Sequence, residues 1–397
     1  MHLRKLADLD LENKRVLVRL DLNVPIQDGV IQDETRIIAG LETLKAILKK
    51  TRKVVVMSHL GRPRGVADKS LSLEPVGARL AELLAMEVVF IEDYITEPVL
   101  QVLDQSSHGQ FILLENLRFH PGETKNDPEF ARVLASGFDY FVNDAFGTLH
   151  RAHASVVGIC EQIGMQNCAA GLLVEKEIAE LSKLMSAPAA PFTVVMGGSK
   201  VSDKIAVTLS LLKNCNDLIV GGAMAYTFLK YKGFSVGDSK VEEDKLDLVE
   251  KIYENAEMRR VNIHLPVDHL CAREFSAAAE PIVTAGESIS DGLLGLDIGP
   301  QTTAKYREVI LKSATVLWNG PMGVFEWDSF AGGSLGVAAA MADCTGRTVV
   351  GGGDSVSAVN KAKLADKIDH ISTGGGASLE FLEGKPLPGV RVLSLNF

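Results

Sequence analysis

An α/β fold built as two domains with mainly parallel sheets follows from three observations. The chain is 397 residues long, more than one ordinary hydrophobic core accommodates, so two domains are expected. Short β-branched runs recur with helical patterns between them, the alternation that produces parallel sheets. The runs are continuously apolar rather than alternating, as strands buried on both faces are. In order, the first half carries RVLVRLDL (15–22), KVVVMSH (53–59), EVVFI (87–91), FILLENL (111–117) and YFVNDAFG (140–147). The second half carries FTVVMGG (192–198), DLIVGG (217–222), NIHLPVDHL (262–270), TVLWNGP (315–321), TVVGGGD (348–354) and HISTGGG (370–376). Among the helices, TRIIAGLETLKAILKK (35–50) has apolar residues three and four apart. EKEIAELSKLMSAPAAP (175–191) reads as a polar helix running into an Ala/Pro linker and is the predicted domain boundary.

In open parallel sheets, ligands gather at the carboxyl ends of the strands. The two halves place different residues there. The first ends its runs with Asp21, Asn23, His59, Arg62, Arg118 and Asp144. The second ends them with glycines, plus Lys200, Asn319 and Asp354. Two α/β domains facing each other are therefore expected, one basic and polar, the other glycine-rich. The net charge of −10 argues against bulk nucleic-acid binding and makes local basic clusters informative. No run approaches the length of a membrane span, and MHLRKLADLD has no apolar signal region. Cys160, Cys168, Cys215, Cys271 and Cys344 are scattered, odd in number and without a CxxC pair. They read as reduced thiols of a cytoplasmic protein.

GGSKVSDK (197–204) puts Lys200 and Lys204 four residues apart behind a glycine pair. Read as a helix start, it would bring two ammonium groups, free N–H groups and the positive end of a dipole together, and so call for an anion. GG (221–222), GGGDS (351–355) and STGGGAS (372–378) also follow apolar runs. Glycine lets backbone approach phosphate closely; it also serves plain strand-to-helix turns. Four such clusters in one half, one with lysines and one with Asp354, favour phosphate binding. The chain has neither GxxxxGK[ST] nor GxGxxG, nor the HRD and DFG signatures, so a nucleotide would bind by another scheme. Asp354 is the candidate for a divalent cation, and an N-cap for the following helix is the plain alternative. Glu326 could grip a ribose hydroxyl pair. Arg19, Arg36, Arg62, Arg118 and Arg151 each sit in or beside a strand-end segment and suit a small polyanion such as a phosphorylated acid. Arg19 lies mid-strand, which also fits a structural role. His150 and His153 lack a third metal ligand.

RLDLNVP, SHLGRP, LLENLRF, NDAFGTLHRAHAS, GGSKVSDK, LWNGPMGVFE, GGGDS and STGGGASLEFLEGKPLPGV occur in this order. With these eight segments, the chain resembles the phosphoglycerate kinase family over essentially its full length. Leu20 and Leu22 stand where many members have Val and Phe, which leaves the polar residues intact. The resemblance implies two Rossmann-like domains across a hinged cleft: 1–172 for the acid, 173–190 as interdomain helix and linker, 191–383 for the nucleotide. It also implies that 384–397 returns to the first domain. It implies reversible phosphoryl transfer from 1,3-bisphosphoglycerate to ADP, giving 3-phosphoglycerate and ATP, by a monomer. By motif, Asp21, Asn23, Arg36, His59, Arg62, Arg118 and Arg151 would hold the acid. Lys200, Lys204, Gly221, Gly222, Asn319, Glu326, Gly352, Gly353, Asp354 and Ser355 would serve the nucleotide, with Asp354 on Mg²⁺. Arg36 and Lys200 would act on the transferring group, assisted by the N–H groups around Gly375. The rival readings are a nicotinamide dehydrogenase, which the missing GxGxxG disfavours, and an exported two-lobed anion-binding protein, which the missing signal disfavours.

Overall fold

Strand β1 (Val16–Leu20) is buried at every position, as a central parallel strand must be. It is followed by a two-residue hairpin, β2 (Ile26–Gln27) with β3 (Val30–Ile31), then by β4 (Val54–Met57), β5 (Glu87–Ile91), β6 (Gln110–Leu114), β7 (Tyr140–Asp144) and β8 (Cys168–Ala170). Apart from the hairpin these pair in parallel in the order β5-β6-β4-β1-β7-β8. Ile37, Leu41, Leu44 and Ile47 place one face of the helix Thr35–Leu48 in a core with Val16, Val18, Val54 and Val56. Each such side chain contributes about 1.5–3 kcal/mol.

The chain then builds β9 (Phe192–Met196), β10 (Asp217–Val220), β11 (Asn262–His264), β12 (His269–Ala272), β13 (Ile282–Val283), β14 (Leu294–Ile298), β15 (Thr315–Asn319), β16 (Arg347–Gly351) and β17 (His370–Ile371). Six of these form a second parallel sheet ordered β11-β10-β9-β15-β16-β17. That is the doubly wound order, with its switch point between β9 and β15. Trp318, Val316, Val195 and Val350 of this sheet share a core with Tyr306, Ile310, Val337 and Met341.

This computed structural model describes residues 2–96, 98–107 and 109–395. It divides into two units, one formed by the chain up to Ala179 with the segment from Pro386 on, the other Glu180–Lys385. The two mainly parallel sheets are those the sequence predicts. Three features differ. NIHLPVDHL is not one strand: it breaks around Pro266, and β12 joins an antiparallel sheet ordered β13-β12-β14. Proline has no N–H for a ladder, so it ends the parallel strand. The hairpin and β8 are too short to carry a hydrophobic signature. The helix after β9 begins only at Ile205, so Lys200 and Lys204 do not share a helical face.

Candidate functional site

In the first unit, the candidate residues converge at the carboxyl ends of β1, β4, β6 and β7. Arg36, in the first turn of Thr35–Leu48, donates to the Asn23 carbonyl at 2.8 Å and lies 3.6 Å from Asp21. Asn23 Oδ1 accepts from the Gly61 N–H at 2.8 Å, and Arg118 donates to the Gly61 carbonyl at 2.7 Å. The turn carrying Arg62 is thus clamped from both sides. Arg62 itself is exposed and makes no hydrogen bond or ion pair among the described residues.

Arg118 and His59 are buried. Burial, then repulsion from Arg19 and Arg151, pushes the Arg118 guanidinium down to about 10. Burial, followed by Arg19, Arg118, Arg36 and His153, holds the His59 imidazole well below its usual range. Burial, then Arg118, Arg151, Arg19 and His150, pushes His153 down to about 4. Glu123 lies 3.7 Å from His153, but its two oxygens take the N–H and hydroxyl of Ser155 at 3.0 and 2.6 Å. The outcome is a cluster of mutually repelling groups with a surplus of positive charge that an anion would relieve. Arg151 donates to His150 Nε2 at 3.0 Å, while His153 lies by Glu123. Among the described residues, no group of three or more His, Cys, Asp or Glu side chains is placed to hold a metal.

In the second unit, the strand-end loops interlock through backbone. The Gly198 N–H donates to the Pro321 carbonyl at 3.0 Å and the Gly222 N–H to the Met322 carbonyl at 2.9 Å. A Cβ on Gly197 would lie 2.1 Å from the Pro321 oxygen, and one on Gly222, where φ is +66°, 2.6 Å from Gly198 backbone. Gly221 packs under Met322, and Gly352, with φ at +89°, turns over the Asn319 amide. Asn319 donates to the Gly351 carbonyl at 2.9 Å and accepts from Lys204 Nζ. Buried Ser355 accepts the Gly320 N–H at 2.6 Å. Asn319 and Ser355 thus spend these polar atoms on joining the loops.

Gly353 and Asp354 open the helix Gly353–Lys361, whose N-cap is Gly352; Asp354 is not the cap. The Asp354 carboxylate is exposed and makes no hydrogen bond or ion pair among the described residues. Burial lowers Lys204, against the pull of Asp354 and then Asp203. Lys200 is exposed in the loop before it. Gly375, with φ at +52°, precedes the short helix Gly376–Leu382. Beside these loops lies a cleft of about 410 Å³. Leu294, Gly295, Leu296, Pro321 and Val324 form its apolar wall with Tyr226 and Phe275, and Glu326, Lys240 and Asp354 also line it. That suits a flat, partly apolar ligand bearing a charged tail.

Sequence reasoning did not reach this wall, because Leu294–Leu296 belong to the unrecognised antiparallel sheet. Nor did it find Glu123, Ser155 and Ser58 beneath Arg19. A mid-strand arginine was the one signal available, since a buried guanidinium requires partners.

A family model described as phosphoglycerate kinase matches residues 6–385. A phosphoglycerate kinase of Anaeromyxobacter dehalogenans (strain 2CP-C) is 51% identical over 394 residues, covering 98% of this chain and 99% of the relative. One from Clostridium novyi (strain NT) is 47% identical over 393 residues, covering 98% of each. The solved phosphoglycerate kinase from Coxiella burnetii superposes with a TM-score of 0.88 at 40% identity, covering 98% of both chains. A motif-bearing sequence, two mainly parallel sheets and full-length similarity agree: the chain belongs to the phosphoglycerate kinase family.

Proposed function

We propose that this chain catalyses reversible phosphoryl transfer between 1,3-bisphosphoglycerate and ADP, giving 3-phosphoglycerate and ATP in glycolysis, as a cytoplasmic monomer. The observation that carries the reading to particular residues is the buried cationic cluster of the first unit, with Arg118 pushed down to about 10 by burial and by its neighbours' charge. Asp21, Asn23, Arg36, His59, Arg62, Arg118 and Arg151 hold the phosphorylated acid there. The apolar cleft of the second unit takes the nucleoside, Glu326 its ribose, and Lys204 lies along the phosphates.

Phosphoryl transfer asks little covalent chemistry of a protein; it asks for alignment and for charge on the equatorial oxygens. Lys200 and Arg36 supply that charge, one from each unit, with N–H groups around Gly375 assisting. Since the two half-sites belong to different units, direct in-line transfer requires the units to close on both substrates and keep water, the competing acceptor, out. Asp354 fits Mg²⁺: its carboxylate is uncommitted, and one carboxylate plus phosphate oxygens is a usual donor set for that ion. Bound there, the ion would neutralise phosphate charge.

A coupled assay with 3-phosphoglycerate, MgATP and a reducing couple that consumes the acyl phosphate tests the reading, with Asp354→Ala beside the wild type. Turnover that requires magnesium and collapses in the variant is the expected result. Turnover that survives the variant moves the metal ligand elsewhere, and a folded wild type without turnover defeats the reaction.

A further inference from the structure

Arg19 is a fully buried arginine of the first unit that the proposed chemistry leaves without a role. It sits mid-β1, in register with Met57 of β4 and Asn143 of β7, so its backbone is fixed from both sides. Its side chain is 1% exposed. Nε donates to Ser155 Oγ at 3.1 Å and Nη1 to Ser58 Oγ at 3.2 Å and to the Leu20 carbonyl. Nη2 lies 2.9 Å from Nδ1 of His59, which is itself 4% exposed. Ser155 passes the charge on to the buried Glu123 carboxylate.

Chemistry then decides the tautomer. A guanidinium has five N–H donors and no acceptor, and it does not give up its proton in proteins. Across that contact Nδ1 must therefore accept, and a neutral imidazole whose Nδ1 accepts carries its proton on Nε2. Protonating Nδ1 would set N–H against N–H and bury a second cation beside the first. The groups that bear on the ring electrostatically are Arg19 from β1, Arg118 from the segment after β6, Arg36 from the helix Thr35–Leu48 and His153 from the segment after β7. All are cations or able to become one. The carboxylates of the cluster, Asp21 and Glu123, are engaged elsewhere: Asp21 lies near Arg36, and Glu123 is held by Ser155. No described residue takes His59 Nε2.

We infer that Arg19 is a positioning residue that locks His59 in the neutral Nε2–H tautomer. The first unit thereby offers the phosphorylated acid a fixed, uncharged N–H donor instead of a titrating cation. This rests on the assignment of His59 to that substrate. The arrangement gives the site a hydrogen bond whose strength does not follow pH, while the permanent charges of the arginines supply the attraction.

The test begins with ¹⁵N-labelled, ligand-free wild type, with His59 assigned from the signals lost in His59→Gln. Long-range ¹H–¹⁵N correlations should show Nδ1 bare and Nε2 protonated, unchanged from pH 5.5 to 8. A titration within that range, an Nδ1–H ring or a mixture of tautomers would overturn the inference without any substrate being involved. Arg19→Met, if it folds, should release the ring, so that both tautomers appear and KM for 3-phosphoglycerate becomes pH-dependent while KM for ATP stays put. His59→Gln, which keeps a neutral N–H, should hold KM for 3-phosphoglycerate within about three-fold. His59→Phe should raise it roughly ten-fold, the scale of one hydrogen bond to a charged group. Equal losses in both variants would overturn the neutral-donor role. A correct tautomer whose Nε2–H signal ignores 3-phosphoglycerate would overturn the substrate assignment of His59, leaving the reaction to stand or fall by the turnover assay.

Discussion

The candidate anion sites of the two units are built by different means. The first uses side chains: Arg19, Arg118, Arg151 and their histidines are crowded into a buried cluster in which each lowers its neighbours' affinity for protons. The second uses backbone: Gly197, Gly222 and Gly320 bring loops so close that no Cβ fits between them. The first stores electrostatic repulsion that an anion would relieve. The second stores little charge and instead fixes positions. Damage should therefore look different in the two units: lost charge in one, lost space in the other.

The largest effects are expected at the two residues assigned to the transferring group. Lys200→Ala should lower kcat/KM at least about a hundred-fold, the scale of deleting one charge donor, and a loss below ten-fold would make the lysine merely structural. Arg36→Ala should lower kcat far more than it weakens ATP binding; an unchanged kcat removes it from the transfer step. Next comes the space argument. Gly197→Ala forces a Cβ to within 2.1 Å of the Pro321 carbonyl and should cost about 1–3 kcal/mol in urea unfolding, with the nucleotide site lost alongside.

Proton linkage should separate the units by sign. His153 is depressed to about 4, so the stability it contributes is present above its unfolded value near 6.5 and fades as pH falls toward 4. Asp297, buried on β14, is pushed up to about 7 by burial, against the N–H groups of Gly333 and Ile298. Its contribution is present at acid pH and lost as pH rises through 7. Asp144, raised to about 6, partly offsets His153 within the first unit. Comparing wild type with Asp297→Asn from pH 5 to 8 should shift the stability gap by about 2 kcal/mol against the wild type. The gap to His153→Gln should move against the wild type in the opposite pH direction. Gaps of the same sign would break the comparison. Smallest of all, Gly353→Ala meets nothing within 4 Å and should stay within about 0.5 kcal/mol. Gly375→Ala meets nothing either but must hold φ at +52°, so it should cost about 1 kcal/mol.

Much of this was legible in the sequence, for reasons that differ by element. Parallel strands buried on both faces announce themselves as VLVRL or VVVM, and their carboxyl ends are where ligand groups belong. Asp21, Asn23, His59 and Arg118 were readable on that rule, Arg36 and Arg151 as arginines of neighbouring segments, with their roles implied only by the family resemblance; the structure gathers them in the first unit. The apolar cleft was not, because Leu294 and Leu296 lie on a short antiparallel strand whose sequence, LGLDI, carries no buried-on-both-faces run. Nor could spacing reveal that Asn319 and Ser355 spend polar atoms on neighbouring loops. Lys200 and Lys204 misled the helical reading because capping and turn geometry delay the helix to Ile205.

The first unit includes the segment from Pro386 on. There the Gly389 N–H bonds the Leu149 carbonyl at 2.9 Å, and Gly389 packs against Leu149 and Val156, which flank His150, Arg151 and His153. Leu3 bridges to Ser394 in the same unit. On the ribosome this order matters. The residues up to Ala179 emerge first, yet the piece that backs their arginine loop is translated after all of Glu180–Lys385. A nascent chain therefore carries the whole of Glu180–Lys385 before the first unit is complete, and loss of the segment from Pro386 on would cripple the part of the protein made earliest.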